Sequence, residues 1–496
     1  MESLETTVTE ELILSYHLMH PGGDSAPSDP NAAIYINGTY HMHYILRHPW
    51  QNHQKQGAEK GQSYSFIHVT SPDMLHWEWQ TTKLQPSFTG HGMFSGTGFL
   101  TKEGKVAAIY HGQASGRNQI AVAKDNNLSA WEKPYPVEPK NPDGSAPEMY
   151  HWDPDCFLIG DTYYAISGGP NPPLIKSDDL VNWRYVGNFL RHETPDAIIG
   201  EDISCPNFFP LDGKWMLLCI SHPFGCRYYL GDWDAEAEQF VPEVHGRMNW
   251  RRPHQSLYKT VYRDFFAPES LLTPDGRRVM WAWLTTLHED VDLRSVQSLP
   301  RELSLAADGS LRIKPLRELE SLRYDKVTLS HITATPPKGS HSTMAFEHIA
   351  DLAGDAYEIR ITVDSAEIQR KRFGVQLFAS EGNQGGGNQG LPILFHPEYN
   401  TLRIGTTEAP FAVTDLAAGE DLEMRIFIDR YLVEVFVNDR QAALTAHMEY
   451  KAGNALNLYS YGGPTTLKQV EIWKMKPTNQ GFRKALENRI WEPITE

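Results

Sequence analysis

Cysteine is scarce in this chain of 496 residues: only Cys156, Cys205, Cys219 and Cys226. No Cys-x-x-Cys occurs, and three of the four lie in apolar strand-like runs. They read as reduced, buried small residues, which excludes a disulfide framework and a thiolate metal site. Long apolar runs are missing too, so no membrane-spanning helix is expected. The opening MESLETTVTEELILSY has neither the basic n-region nor the apolar h-region of a signal peptide. A cytoplasmic location follows as an expectation, with secretion only if the chain has been trimmed. Positive charge is also in deficit, with 45 Lys and Arg against 62 Asp and Glu and a net charge of −17. Such a surface repels phosphate backbones and anionic lipid. It argues against nucleic acid or a membrane as partner and fits a neutral substrate.

What the chain has in quantity is aromatic and apolar residues. Forty per cent of it is apolar, and 13 Trp with 22 Tyr supply flat faces for a β-rich core or for sugar rings. The length is too great for one core, so two or three domains are expected.

One unit recurs through the first 285 or so residues: an apolar strand, a turn centred on Gly, and a second apolar strand. It reads AAIYINGTYHMHYIL, GTGFLTKEGKVAAIYHG, CFLIGDTYYAISGG, NFFPLDGKWMLLCI and ESLLTPDGRRVMWAWL. The turn residues Asn37, Glu103, Gly160, Asp212 and Asp275 lie 66, 57, 52 and 63 residues apart. Five hairpins at near-regular spacing, with little amphipathic helix between them, predict an all-β fold that opens with a five-bladed β-propeller. From about residue 330 the texture changes to alternating strands such as YEIRITVDS, FGVQLFAS and RIFIDRYLVEVFVND, around a Gly-rich loop at 380–390. These predict a β-sandwich domain. The expected divisions are a propeller over 1–314, a linker helix over 315–329 and a sandwich over 330–496.

In a propeller the first strand of each blade lines the central axis, so residues entering it converge on one pocket. Asp29 lies eight residues before Asn37, and Asp153 lies eight before Asp161. Both precede a proline, which keeps the approach extended. One Asp-Pro is an ordinary turn pair; two at the same register place two carboxylates at one axis. In the fourth unit, GEDISCPNFF, that register falls on Ser204, and Glu201 stands three residues upstream. An odd offset points to the other face of a strand unless a bulge intervenes. Asp264 in the fifth unit shares the offset of Glu201 from its turn. Carboxylates around one pocket are the chemistry of glycoside cleavage.

These stretches resemble glycoside hydrolase family 32, the invertase, inulinase and levanase family. SDPNAAIYINGTYHMHY is similar to its Asn-Asp-Pro-Asn-Gly strand, and FIHVTSPDMLHWE to its Trp-Gly-His and Ser-x-Asp-x-x-His-Trp stretch. FSGTG matches Phe-Ser-Gly-Ser, WDP matches Arg-Asp-Pro, and SCPNFFPL matches Glu-Cys-Pro-Asp. RDFFAPESLL, SLPRELSL and RIFIDRYLVEVFVND are also close to family signatures. The resemblance implies retaining cleavage of β-fructofuranosides, without a metal or organic cofactor, on a small fructose-containing saccharide. It carries Asp29 as nucleophile and Asp153 as the stabiliser that binds fructose hydroxyls. It gives the proton-donor role to the Cys-Pro motif. Here Glu201 is expected to take that role if a bulge turns it inward, with Asp202 and then Asp264 as rivals.

The departures cluster in the sugar pocket. Ser28 and Ala32 replace the outer Asn and Gly of the nucleophile motif, and Ile45 stands where the family has a leaving-group Gln. Phe66 replaces a Trp, Trp152 an Arg, and Ser204 the Glu before Cys-Pro. The pocket is expected to involve Asn31, Ile45, Trp50, Phe66, His68, Phe94, Ser95, Trp152, Ser204, Asp264 and Trp283. A fructotransferase forming difructose dianhydrides, or a weakly active lectin-like binder that lost its acid, are the other readings. His41, His43, His48, His53 and His68 lack a Cys or carboxylate frame, so packing is expected of them, not metal.

Overall fold

The computed structural model describes residues 10–22, 26–47, 64–249, 265–284, 296–338, 344–368, 371–380, 390–396, 398–405, 407–446 and 453–493. Five antiparallel sheets come first along the chain, each a blade of a propeller. Their innermost strands are Ala26–Ile36, Gly92–Leu100, Asp155–Ile159, Ser204–Leu211 and Phe266–Leu272. Each of these five meets its neighbours around the axis and closes a ring. The predicted turns sit where the sequence placed them. Asn37 and Gly38 (φ 50° and 80°) and Asp212 and Gly213 (47° and 88°) close two-residue hairpins in the left-handed region their side chains tolerate.

Ring closure has a polar lining beneath the pocket. The amide of Gly96 donates to Asn31 Oδ1 (2.7 Å), that of Ala33 to Glu269 Oε1 (3.0 Å) and that of Phe208 to Asp155 Oδ2 (2.7 Å). Thr97 Oγ1 also donates to Asp155 (2.6 Å). Buried side-chain acceptors thus take up backbone amides of the innermost strands that would otherwise go unpaired.

A short 3-10 helix, Arg317–Leu322, follows the last propeller strand, Leu311–Pro315. The first sandwich strand, Arg323–Ala334, starts inside the stretch expected as linker. Two six-stranded sheets form the sandwich. Alternate residues of facing strands, among them Ile359, Ile361, Leu377, Ile393, Ile426, Val435 and Leu458, fill its core. The other face of one sheet packs on the propeller through Phe427, Leu432, Phe436 and Leu444. At this seam His17 Nδ1 is 2.9 Å from Asp429 and Nε2 is 3.2 Å from Glu434, while Arg301 bonds Glu434 (2.8 Å). The C-terminal helix Gln480–Asn488 folds back on the first blade, Phe482 against Trp79. Trp77 and Trp79 are therefore core residues. Residues 381–389 of the Gly-rich loop lie outside the described residues.

Candidate active site

The pocket is made by bulges. In the first blade Pro27 pairs with Leu46 and Pro30 with Tyr44, so Ser28 and Asp29 together oppose the single Ile45. In the second, Phe94 and Ser95 oppose His111; in the fourth, Cys205 and Pro206 oppose Cys219. The fifth has one extra residue, Ala267, between Phe266 and Pro268. A bulge re-aims side chains at the end of a strand. Ser28, Asp29, Phe94, Ser95 and Cys205 all line one axial cavity of about 560 Å³ as a result. Asp153 enters without a bulge, held at φ 38° just ahead of its strand. Ala32, Cys205 and Ala267 hold the same left-handed conformation (45°, 46° and 48°), a local strain gathered around one axis.

Asp29 and Asp153 converge. Ser95 Oγ donates to Asp29 Oδ2 at 2.6 Å, and Asn31 Nδ2 donates to the Asp29 carbonyl at 2.7 Å. The Cys205 thiol lies 3.9 Å from Asp29 Oδ2 and 3.7 Å from Asp153 Oδ2, and so stands between the two carboxylates. Burial and then the charge of Asp29 push Asp153 up to about 6, with His222 acting against them. Burial and the two aspartates raise the Cys205 thiol well above its usual value, so it stays neutral.

Of the other expected residues, Ile45, Phe94, Ser95, Trp152 and Trp283 line this cavity. Asn31 and Ser204 do not. Asn31 is buried beneath the pocket as a brace, and Ser204 is buried behind Trp152, whose Nε1 donates to its hydroxyl at 3.2 Å. Phe66 and His68 also fall away from it. They sit on the third strand, Tyr64–Ser71, where only Tyr64 reaches the cavity, and they pack on Tyr110 and His43. His41, His43 and His68 form a buried stack, with His41 Nδ1 2.9 Å from His68 Nε2. Burial depresses His41 to about 4 and His43 to about 3, so both are neutral packing rings. Trp50, Asp264, His48 and His53 lie outside the described residues.

Glu201 requires a correction. The fourth-blade bulge comes after Ser204, too late to turn Glu201 inward, and Glu201 does not line the cavity. It is buried between two guanidinium groups instead, 2.6 Å from Arg227 Nη1 and also paired with Arg247.

The residue that sequence reasoning passed over is His222. It shares the cavity wall with Asp153, and its Nδ1 lies 2.5 Å from Asp202 Oδ2. A signal was present: His48-Pro49-Trp50 and His222-Pro223-Phe224 follow the second strands of the first and fourth blades. A second hollow of about 380 Å³ adjoins, lined by Tyr150, Trp152, Gly168, Gly169, Pro170, Asp202 and His222. Gly168 is required there, since a Cβ would fall 2.2 Å from Trp152 Nε1. Trp152 and His222 are common to both hollows.

Fold and site together define a class: a propeller with paired axial carboxylates, joined to a sandwich. The sequence matches the N-terminal domain of glycosyl hydrolases family 32 over residues 24–315 and the C-terminal domain over 318–474. The chain belongs to glycosyl hydrolase family 32. It is 28% identical to raffinose invertase of Escherichia coli, over 93% of this chain and 94% of that protein. Levanase of Bacillus subtilis is 26% identical over 90% of this chain and 68% of its own length. The structure of sucrose-6-phosphate hydrolase from Lactobacillus gasseri superposes with a TM-score of 0.70 at 20% identity, covering 95% of this chain and 94% of that one.

Proposed function

We propose that this chain is a retaining hydrolase of β-fructofuranosides, working through a fructosyl-enzyme intermediate. The observation that carries the reading is the convergence of Asp29 and Asp153 on one axial cavity, on either side of the Cys205 sulfur. Asp29 is the nucleophile. Its oxygen attacks the anomeric carbon while the bond to the leaving oxygen breaks. Asp153 is the stabiliser. With its carboxyl at about 6 it is ionised at neutral pH and faces the positive charge that builds on the ring. Phe94, Trp152, Phe266 and Trp283 supply aromatic walls for the sugar.

The relatives act on raffinose, levan and sucrose 6-phosphate by their names, and a small fructose-containing saccharide is the substrate class carried over to this chain. Incubation with sucrose, raffinose, inulin and levan, with products separated and counted, tests the reading. Free fructose, released first as the β anomer, is the expected result. Difructose dianhydrides as the main product would replace hydrolysis with transfer. Tight sugar binding without any product would make the chain a lectin-like binder.

A further inference from the structure

A fructoside with an alkoxide leaving group needs a proton delivered to the departing oxygen. Ser204 holds the register position that carries Asp29 and Asp153 in their blades, and a hydroxyl is far too weak an acid for this near neutrality. Burial and the two aspartates raise the Cys205 thiol well above its usual value, and Glu201 is held outside the pocket by Arg227 and Arg247. On the retaining-fructosidase reading, we infer that His222 is the proton carrier of this site and that Asp202 is its positioning residue.

The geometry is that of a built pair. His222 Nδ1 meets Asp202 Oδ2 at 2.5 Å, and the His222 amide donates to Asp202 Oδ1 at 2.9 Å. Ser204 Oγ donates to Asp202 Oδ2 at 2.8 Å, and Arg227 Nη2 donates to the Asp202 carbonyl at 2.8 Å. Asp202 is thereby fixed from the fourth blade's own strands. The indole of Trp152 and the ring of Phe266 flank the imidazole, each with centroids 5.7 Å away. With Nδ1 engaged, Nε2 is the nitrogen that meets a substrate. The side chain is 39% exposed, so a substrate reaches it.

Its place between the two hollows is the second argument. The adjoining hollow of Tyr150, Trp152 and Pro170 offers space for the leaving group of a fructosyl ring held over Asp29 and Asp153. His222 stands on the wall that the two share. Among the described residues, the charged groups that face it are Asp202 from the fourth blade and Asp153 from the third. Burial opposes ionisation of Asp202, but the His222 and Ser204 hydrogen bonds hold its carboxyl down to about 2. A carboxylate that stays ionised is itself a poor proton donor, so Asp202 acts by holding the His222 ring in place.

The step balances. As Asp29 forms its bond to the anomeric carbon, the electron pair of the breaking bond goes to the leaving oxygen, which takes the Nε2 proton of imidazolium. Neutral His222 then removes a proton from water, the water oxygen attacks the anomeric carbon, and the Asp29 carboxylate is released with fructose.

The test compares His222→Gln with the wild type on sucrose, raffinose and a nitrophenyl β-fructofuranoside, whose leaving group needs no proton. Expected is a loss of kcat/KM of about 10²–10⁴-fold on the two sugars and less than about tenfold on the nitrophenyl substrate. Azide should speed the second step of the variant. Asp202→Asn should lower kcat/KM on sucrose by a smaller factor and spare the nitrophenyl substrate, because the carboxylate that orients the proton carrier is gone. An unchanged thermal midpoint for each variant separates these effects from misfolding. Equal losses on good and poor leaving groups in either variant, or no loss at all, would overturn the assignment while leaving the fructosidase reading intact. A wild-type protein inert toward all three substrates would overturn both together.

Discussion

Asp153, half-buried in the cavity wall, and Glu201, fully buried, are acids near the mouths of neighbouring blades with opposite surroundings. Asp153 shares a cavity with Asp29, and burial beside a like charge raises its carboxyl to about 6. Glu201 sits between Arg227 and Arg247, its charge matched on both sides and its oxygens turned from the cavity. The more deeply buried of the two is the one turned from the cavity, so burial alone does not mark an acid for chemistry. The neighbours decide, and so does the half-turn of backbone that points a side chain at the axis or away from it.

The largest break in this comparison comes from the pocket side. Asp29→Asn is isosteric and removes only the charge, so folding should survive while kcat/KM falls on the order of 10⁴-fold or more for every fructoside. Asp153→Ala should cost about 10²–10³-fold, equally for good and poor leaving groups, because it acts on the charge of the ring and not on the departing oxygen. A loss confined to poor leaving groups would make Asp153 the proton carrier.

The other side of the comparison breaks in stability. Glu201→Gln removes the carboxylate that pairs with both buried guanidinium groups and should lower the unfolding free energy by about 3–5 kcal/mol, read by chemical denaturation. Its ratio of rates on nitrophenyl fructoside and sucrose should match the wild type. A selective loss on sucrose would return the acid role to Glu201.

The smallest effect concerns a third buried cluster, at the seam between propeller and sandwich. Burial opposes charge on His17, but its hydrogen bonds to Asp429 and Glu434 hold it up at about 9, against 6.5 ordinarily. The folded state therefore binds the proton more tightly than the unfolded one. The stabilisation is complete below about pH 6.5 and is lost as pH rises toward 9, on the order of 3 kcal/mol in all. His17→Gln should flatten that decline in an unfolding series from pH 6 to 9.

The strand mouths were legible because repetition exposed them. Asp29 and Asp153 share an offset from a turn and a following proline, and hairpin turns of Asn-Gly and Asp-Gly type mark the blades directly. The bulges were not legible, since nothing in Ser28-Asp29 or Phe94-Ser95 tells how many residues oppose one partner. The family resemblance consequently put Asn31, Phe66 and His68 in the pocket, whereas none of the three lines the cavity. Glu201 was misjudged for a related reason: it lies ahead of its strand, where partners from Gly225–Asp234 and Gln239–Arg247 are invisible in sequence. His222 escaped notice because it follows a second strand, while attention to registers favours the first.

The central claim is that Asp29 carries the fructosyl group. Rapid acid quench of the enzyme during turnover of a nitrophenyl β-fructofuranoside, followed by proteolysis and mass spectrometry, tests it most directly. One fructosyl residue is expected on the peptide that contains Asp29, and none in Asp29→Asn. An adduct on Asp153, Asp202 or Glu201, or inverted fructose released with no adduct at all, would contradict it.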